Sequence, residues 1–142
     1  ARCAQAGTLI WGASNASPYN RLYVGMTILP WVEGVIRYTE IENRLYSKSK
    51  SFSGNQSAKD KSADLKIGLT QEGKYMPQIA IGLRDIGGTS DYGAEYIVAN
   101  KKWKNFDFSV GLGYGLMSRR SNIKNPLSLI SSKFKINKFM TI

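Results

Sequence analysis

Large apolar side chains recur at every second residue through most of this chain. From Phe106 to Leu116, Phe106, Phe108, Val110, Leu112, Tyr114 and Leu116 share one parity, and Asp107, Ser109, Gly111, Gly113 and Gly115 share the other. A strand sends successive side chains to opposite faces, so this stretch predicts a strand with one continuous apolar face and one small face. The same period predicts strands over 19–29 (Leu22, Val24, Met26 and Ile28 against Arg21, Tyr23, Gly25 and Thr27) and 31–41 (Ile36 and Tyr38 against Glu33 and Arg37). It continues over 63–70, 78–84 and 92–99, and more weakly over 5–13 and in a C-terminal segment, 127–139. Between them, 42–62 reads as a long polar loop, and 71–77, 85–91 and 100–105 as turns.

Each connection is too short for a crossover helix, so neighbouring strands are antiparallel and the fold is an all-β up-and-down meander. In a meander, alternate connections share one end of the sheet. One end then collects Trp31, Tyr75 and Trp103 in short connections, while the other collects longer polar ones. Strands that are large and apolar on one face and small or polar on the other, with aromatics sorted to one end, match a transmembrane outer-membrane β-barrel. In that reading Trp31, Tyr75 and Trp103 are membrane-interface aromatics, and Arg21, Arg37, Lys66, Arg84 and Glu95 face a polar lumen. A soluble sheet with its apolar face inward uses the same alternation. No stretch supplies the roughly 20 apolar residues of a membrane-spanning helix.

The 142 residues carry a net charge of +10. The basic residues gather at Lys48–Lys61, Lys101–Lys104, Arg119–Lys124 and Lys133–Lys138, which read as connections or tail. A solvated loop accounts for them, as does attraction to anionic lipid or an acidic polysaccharide; a soluble basic β-domain that binds nucleic acid or another polyanion is the alternative. There is no histidine, which removes the usual neutral-pH base and the commonest transition-metal ligand. One cysteine, Cys3, excludes an internal disulfide; Ala1 and Arg2 before it supply no apolar leader for lipidation. The start of the chain holds no signal segment, so a mature, trimmed or internal piece is expected.

No motif points to catalysis, metal or cofactor. Glu40 with Glu42 and Asp85 with Asp91 are carboxylate pairs at loop edges, where turn formation explains them. Gly87-Gly88-Thr89-Ser90 lacks the following helix of a phosphate loop, and GLGYG at 111–115 lies inside a strand. The serines have no histidine partner. Aromatics among lysines near Trp103 suit base stacking or, better, a membrane interface.

Three blocks are more specific: LPWVEGVIRYTEI at 29–41, KDKSADLKIGL at 59–69, and PQIAIGLRDIGGTSDYGAEYIVANKKWKNFDFSVGLGYG at 77–115. In order and spacing they resemble the YjbH-like family of Gram-negative outer-membrane proteins linked to exopolysaccharide and capsule production. The resemblance covers roughly residues 19–135 and is most distinctive at GLRDIGGT. It implies an outer-membrane β-barrel, often a lipoprotein, that assists polysaccharide secretion or assembly without catalysis. Its partners would be outer-membrane lipid, anionic polysaccharide and other secretion proteins, with no nucleic acid. Family members are far longer, so the chain reads as an internal portion of one. Arg84, Asp85, Gly87 and Gly88 match the family motif, and their expected role is a fixed turn with a buried ion pair.

Overall fold

The computed structural model describes residues 1–88, 92–115 and 129–130. Seven strands follow in order: β1 (Leu9–Ala16), β2 (Tyr19–Leu29), β3 (Val32–Leu45), β4 (Ser57–Gly68), β5 (Gln78–Gly88), β6 (Ala94–Trp103) and β7 (Phe106–Gly115). A single helical turn, α1 (Lys50–Ser53), sits between β3 and β4. Every strand pairs antiparallel with the next, and sheet order equals chain order, so the fold is the expected all-β meander. Among the described residues no helix is long and apolar enough to cross a membrane.

Residues directly opposite each other in an antiparallel ladder share a face, so the register assigns both faces. One row runs Thr27, Glu33, Lys66, Gly82, Tyr96, Gly113; the next holds Gly25, Val35, Asp64; the next Gly12, Tyr23, Arg37, Ser62. The opposite face carries Trp11, Val24 and Ile36, then Ile67, Ile81, Ile97 and Leu112. The polar face is concave. Ile10 and Ser14 of β1 and Arg84 of β5 line one cavity, though a flat sheet would hold those strands about 19 Å apart. The seven strands thus form a curled half-barrel.

Among the described residues no second layer covers the convex face. Trp11 is 75% exposed, Ile36 72% and Val110 72%, and Leu22, Met26, Phe106 and Leu112 are about half exposed. Among the described residues the buried apolar ones are Ile41, Ala58, Ala80 and Ala94. On the concave face, glycines make room for rings. A Cβ on Gly82 would sit 2.1 Å from the Tyr96 ring, and one on Gly12 2.5 Å from the Tyr23 hydroxyl, so each tyrosine lies across a glycine of its neighbouring strand.

Several boundaries differ from expectation. The polar stretch 42–62 is strand at both ends: β3 runs to Leu45 and β4 starts at Ser57. Here both faces are polar (Thr39 and Asp60 inward, Glu40 and Lys59 outward), so no alternation of hydrophobicity marks the strand. Strand β1 begins at Leu9, not residue 5, and extends through Ser14-Asn15-Ala16, with the turn confined to Ser17-Pro18. Strand β6 spans Ala94–Trp103 rather than 92–99, leaving Lys104-Asn105 as the turn. With these extensions the connections differ less in length between the two ends than the sequence suggests. Leu116, the basic stretches 119–124 and 133–138, and the segment 127–139 apart from Leu129 and Ile130 lie outside the described residues.

Residues 85–88, expected in a turn, continue β5 through a bulge. The ladder pairs Leu65 with Leu83 but Ala63 with Gly87, so three β5 residues bulge opposite Asp64. Asp85 adopts φ 54° there, and Asp64 Oδ1 accepts a 3.0 Å hydrogen bond from its N–H. Asp85 Oδ2 in turn accepts from the Tyr92 N–H at 2.9 Å. The expected Arg84–Asp85 ion pair is replaced by Arg84–Asp64, 3.9 Å apart. Adjacent side chains in a strand diverge, and the bulge turns Asp85 toward the loop. The two glycines are not equivalent. Gly88 has φ 131° and a Cβ there would lie 1.7 Å from the Lys61 carbonyl oxygen; at Gly87 nothing lies within 4 Å. Gly88→Ala is therefore expected to destabilise the sheet by roughly 3 kcal/mol, and Gly87→Ala by less than about 0.5 kcal/mol. Denaturant midpoints of the two variants measure this, and equal midpoints would contradict the close approach.

Candidate functional site

The concave face divides into two zones. The first lies at the end where β2 meets β3 and β6 meets β7. Here Lys66 pairs with Glu33 across the β3–β4 ladder. The N-terminal segment then crosses this zone as a strap. The Ala4 N–H donates to Glu33 Oε1 at 2.6 Å, Lys66 Nζ to the Arg2 carbonyl at 2.8 Å, and the Gly7 N–H to the Thr27 carbonyl at 2.8 Å. The Arg2 guanidinium forks between Glu72 (2.6 Å), in the β4–β5 connection, and Asp107 (2.5 Å), on β7. Glu72 also accepts from the Lys102 N–H at 2.6 Å. Arg2, Lys66, Lys101, Glu33, Glu72 and Asp107 each have an opposite partner in this zone.

The second zone lies toward the β3–β4 hairpin tip. Arg37 Nη2 donates to Asp64 Oδ2 at 2.5 Å, and Arg84 Nε is 3.9 Å from that same oxygen. Arg21 lies over the Tyr19 ring at 4.7 Å. Arg21, Tyr23, Arg37 and Arg84 line a cavity of about 400 Å³, closed on one side by Ile10 and Ser14. A smaller neighbour of about 240 Å³ is lined by Glu33, Asp64, Lys66, Arg84 and Tyr96.

Of the residues expected to face the lumen, Arg21, Arg37, Lys66 and Arg84 share the concave face. Glu95 does not: it stands opposite Leu83, which pairs with Leu65 on the convex side. The inward residues of β6 are Ala94, Tyr96, Val98 and Asn100, and a carboxylate is no guide to which parity turns inward. Asp64 and Tyr23 were legible by parity with Lys66 and Arg21 and went unrecognised as members of the site. Arg2 lies in no alternating segment, so periodicity carries no sign of it. Trp31, Tyr75 and Trp103 are exposed and gather at the strap end, with Lys74 5.4 Å over Tyr75 and Lys104 5.1 Å over Trp103. No group of three or more His, Cys, Asp or Glu is placed to hold a metal ion among the described residues.

Fold and face chemistry define a class: a curled antiparallel sheet with an apolar convex face and an ionic, tyrosine-paved concave one. Comparison with known proteins adds the family. The model for "Exopolysaccharide biosynthesis protein YbjH" matches residues 1–141, and the chain belongs to that family. It is 43% identical over 134 residues to "Uncharacterized lipoprotein YjbH" of Escherichia coli (strain K12), covering 94% of this chain. The chain spans 19% of that relative's length. No solved structure matches it.

The strap carries a pH dependence. The Arg2 guanidinium, then the Lys102 N–H, hold the Glu72 carboxyl below its ordinary value of 4.5. A depressed carboxyl contributes stability that is fully present above the ordinary value and is lost as pH falls through the lower, folded one. A fluorophore on Cys3 should therefore lose anisotropy as pH is taken from about 6 to about 3. Glu72→Gln should give the low value throughout. A flat wild-type profile would show that Glu72 does not hold the strap.

Proposed function

We propose that this chain is part of an outer-membrane β-barrel lipoprotein that assists secretion or assembly of an extracellular polysaccharide and catalyses no reaction itself. The observation that carries it is the inverted sheet. Each half-exposed side chain on the convex face forgoes on the order of 1 kcal/mol of transfer free energy in water, so the face forgoes on the order of 10 kcal/mol. That rivals the whole net stability of a domain, about 5–15 kcal/mol, and lipid removes the deficit. Strands β2, β5, β6 and β7 have 11, 11, 10 and 10 residues, matching the roughly 9–11 that span a bilayer. The exposed Trp31, Tyr75 and Trp103, two of them with a lysine over the ring, suit one membrane interface.

The edges β1 and β7 do not pair with each other in the described sheet. A longer chain supplies further strands for closure, as the relative's length suggests. The family's description supplies the link to exopolysaccharide, and the relative's printed name the lipid anchor. The partners in this reading are outer-membrane lipid, an anionic polysaccharide passing the concave face, and other secretion proteins. A soluble domain that binds nucleic acid leaves the convex face uncovered.

The first test is gel mobility of the full-length protein extracted from outer-membrane fractions. A shift on boiling is expected; an unshifted protein in the soluble fraction would overturn the membrane reading. Charge reversal then separates cargo contact from assembly. Arg21→Glu, with no carboxylate partner to lose, should lower the polysaccharide recovered from culture fluid and keep the shift on boiling. Arg37→Glu sets a second carboxylate against Asp64, a loss of roughly 3–5 kcal/mol, and should abolish both. Equal loss of export and shift in Arg21→Glu would defeat a contact role.

A further inference from the structure

Resting on the barrel reading above, we infer that the cavity between Arg21, Arg37 and Arg84 is a binding site for a carboxylate carried on a sugar chain, and that the strap zone takes no part in it. Charge sorting along the concave face is the basis. In the strap zone Lys66 is paired with Glu33 and donates to the Arg2 carbonyl, and Arg2 is matched by Glu72 and Asp107. Three guanidiniums line the larger cavity, and Asp64, in the wall of the smaller neighbour, serves two of them, Arg37 and Arg84, at once. Asp64 Oδ1 is further engaged by the Asp85 N–H. Asp60, one row beyond on the same face, is 1% exposed and does not line the cavity. The cavity keeps a positive excess on side chains that are not fully buried.

The geometry favours a planar anion held beside a flat ring. A guanidinium presents paired N–H donors that match the two oxygens of a carboxylate. Asp64 already shows this cavity's arginines engaging such a group from one side. Tyr23, laid across Gly12, offers a ring face and hydroxyl where the sugar ring of the same residue would rest. About 400 Å³ holds one or two sugar units, not a folded polymer. Uronic acids and pyruvylated sugars carry such a carboxylate. A phosphate on a lipid headgroup shares the charge but not the planar shape or the attached ring.

The experiment uses the full-length protein in detergent, its barrel verified by the shift on boiling, with binding measured by calorimetry. The probes are hexagalacturonate, maltohexaose as the neutral control, and inorganic phosphate as competitor. Hexagalacturonate should bind, more weakly as salt rises, while maltohexaose does not and phosphate competes only at far higher concentration. Arg21→Gln and Arg84→Gln should each weaken hexagalacturonate binding about tenfold, with the shift on boiling retained. Lys104→Gln, at the turn beyond the strap zone, should leave binding unchanged. Equal binding of the neutral chain, phosphate competing at the same concentration as hexagalacturonate, or no effect of Arg21→Gln would each overturn the assignment. An intact barrel that binds no hexagalacturonate rejects this site and leaves the barrel reading standing; loss of the shift on boiling rejects both.

Discussion

A single-layer sheet has to place all its ion pairs on one side when the other side is apolar. Arg37, Lys66 and Arg84 of this protein therefore find their counter-charges on the concave face, in Asp64 and Glu33 of adjoining strands. Curvature brings β1 and β5 around one cavity, and ion pairs within such a concavity are worth more than on a flat, solvated sheet. The β5 bulge adds to the bend at the point where Asp64 ties Arg37, Arg84 and the Asp85 backbone together.

How much of this was legible in the sequence differs by feature. Strand type and the apolar face follow from two-residue periodicity, and antiparallel order from the short connections, neither of which needs knowledge of tertiary structure. The end of β3 beyond Ile41 and the start of β4 are not marked, because periodicity of hydrophobicity vanishes in polar runs such as Glu42-Asn43-Arg44 and Lys59-Asp60-Lys61. Asp85 and Ile86 read as the start of a turn, not as part of a bulge, because Asp and Gly mark both, and the ladder that distinguishes them depends on β4. Glu95 was misassigned to the concave side because its charge was taken as a sign of facing; parity along β6 from Tyr96 would have sent it outward. The strap owes its position to Arg2 meeting Glu72 and Asp107, distant partners that only the folded curl assembles.

The two zones of the concave face do different physical jobs. At the strap end, charges are matched and the backbone of residues 4–7 is hydrogen-bonded to Glu33 and Thr27, so that end is filled with the protein's own chain. Toward the hairpin tip the guanidiniums outnumber their carboxylates and a cavity remains. Family membership through the exopolysaccharide model gives this asymmetry its context, since a polymer moving along the face would leave a neutral, occupied region for a charged, open one, or the reverse.

The tyrosines laid over glycines set how rough the concave face is. Tyr96 occupies the space of the missing Gly82 side chain, and Tyr23 that of Gly12, so both rings lie along the wall instead of standing out from it. A methyl group at either glycine would lift its ring off the wall and swing it toward the axis of the curl. The width of the concavity is therefore governed less by the tyrosines than by the hydrogen atoms opposite them, and in the proposed barrel the smallest side chains on the face would determine the widest object that could slide past.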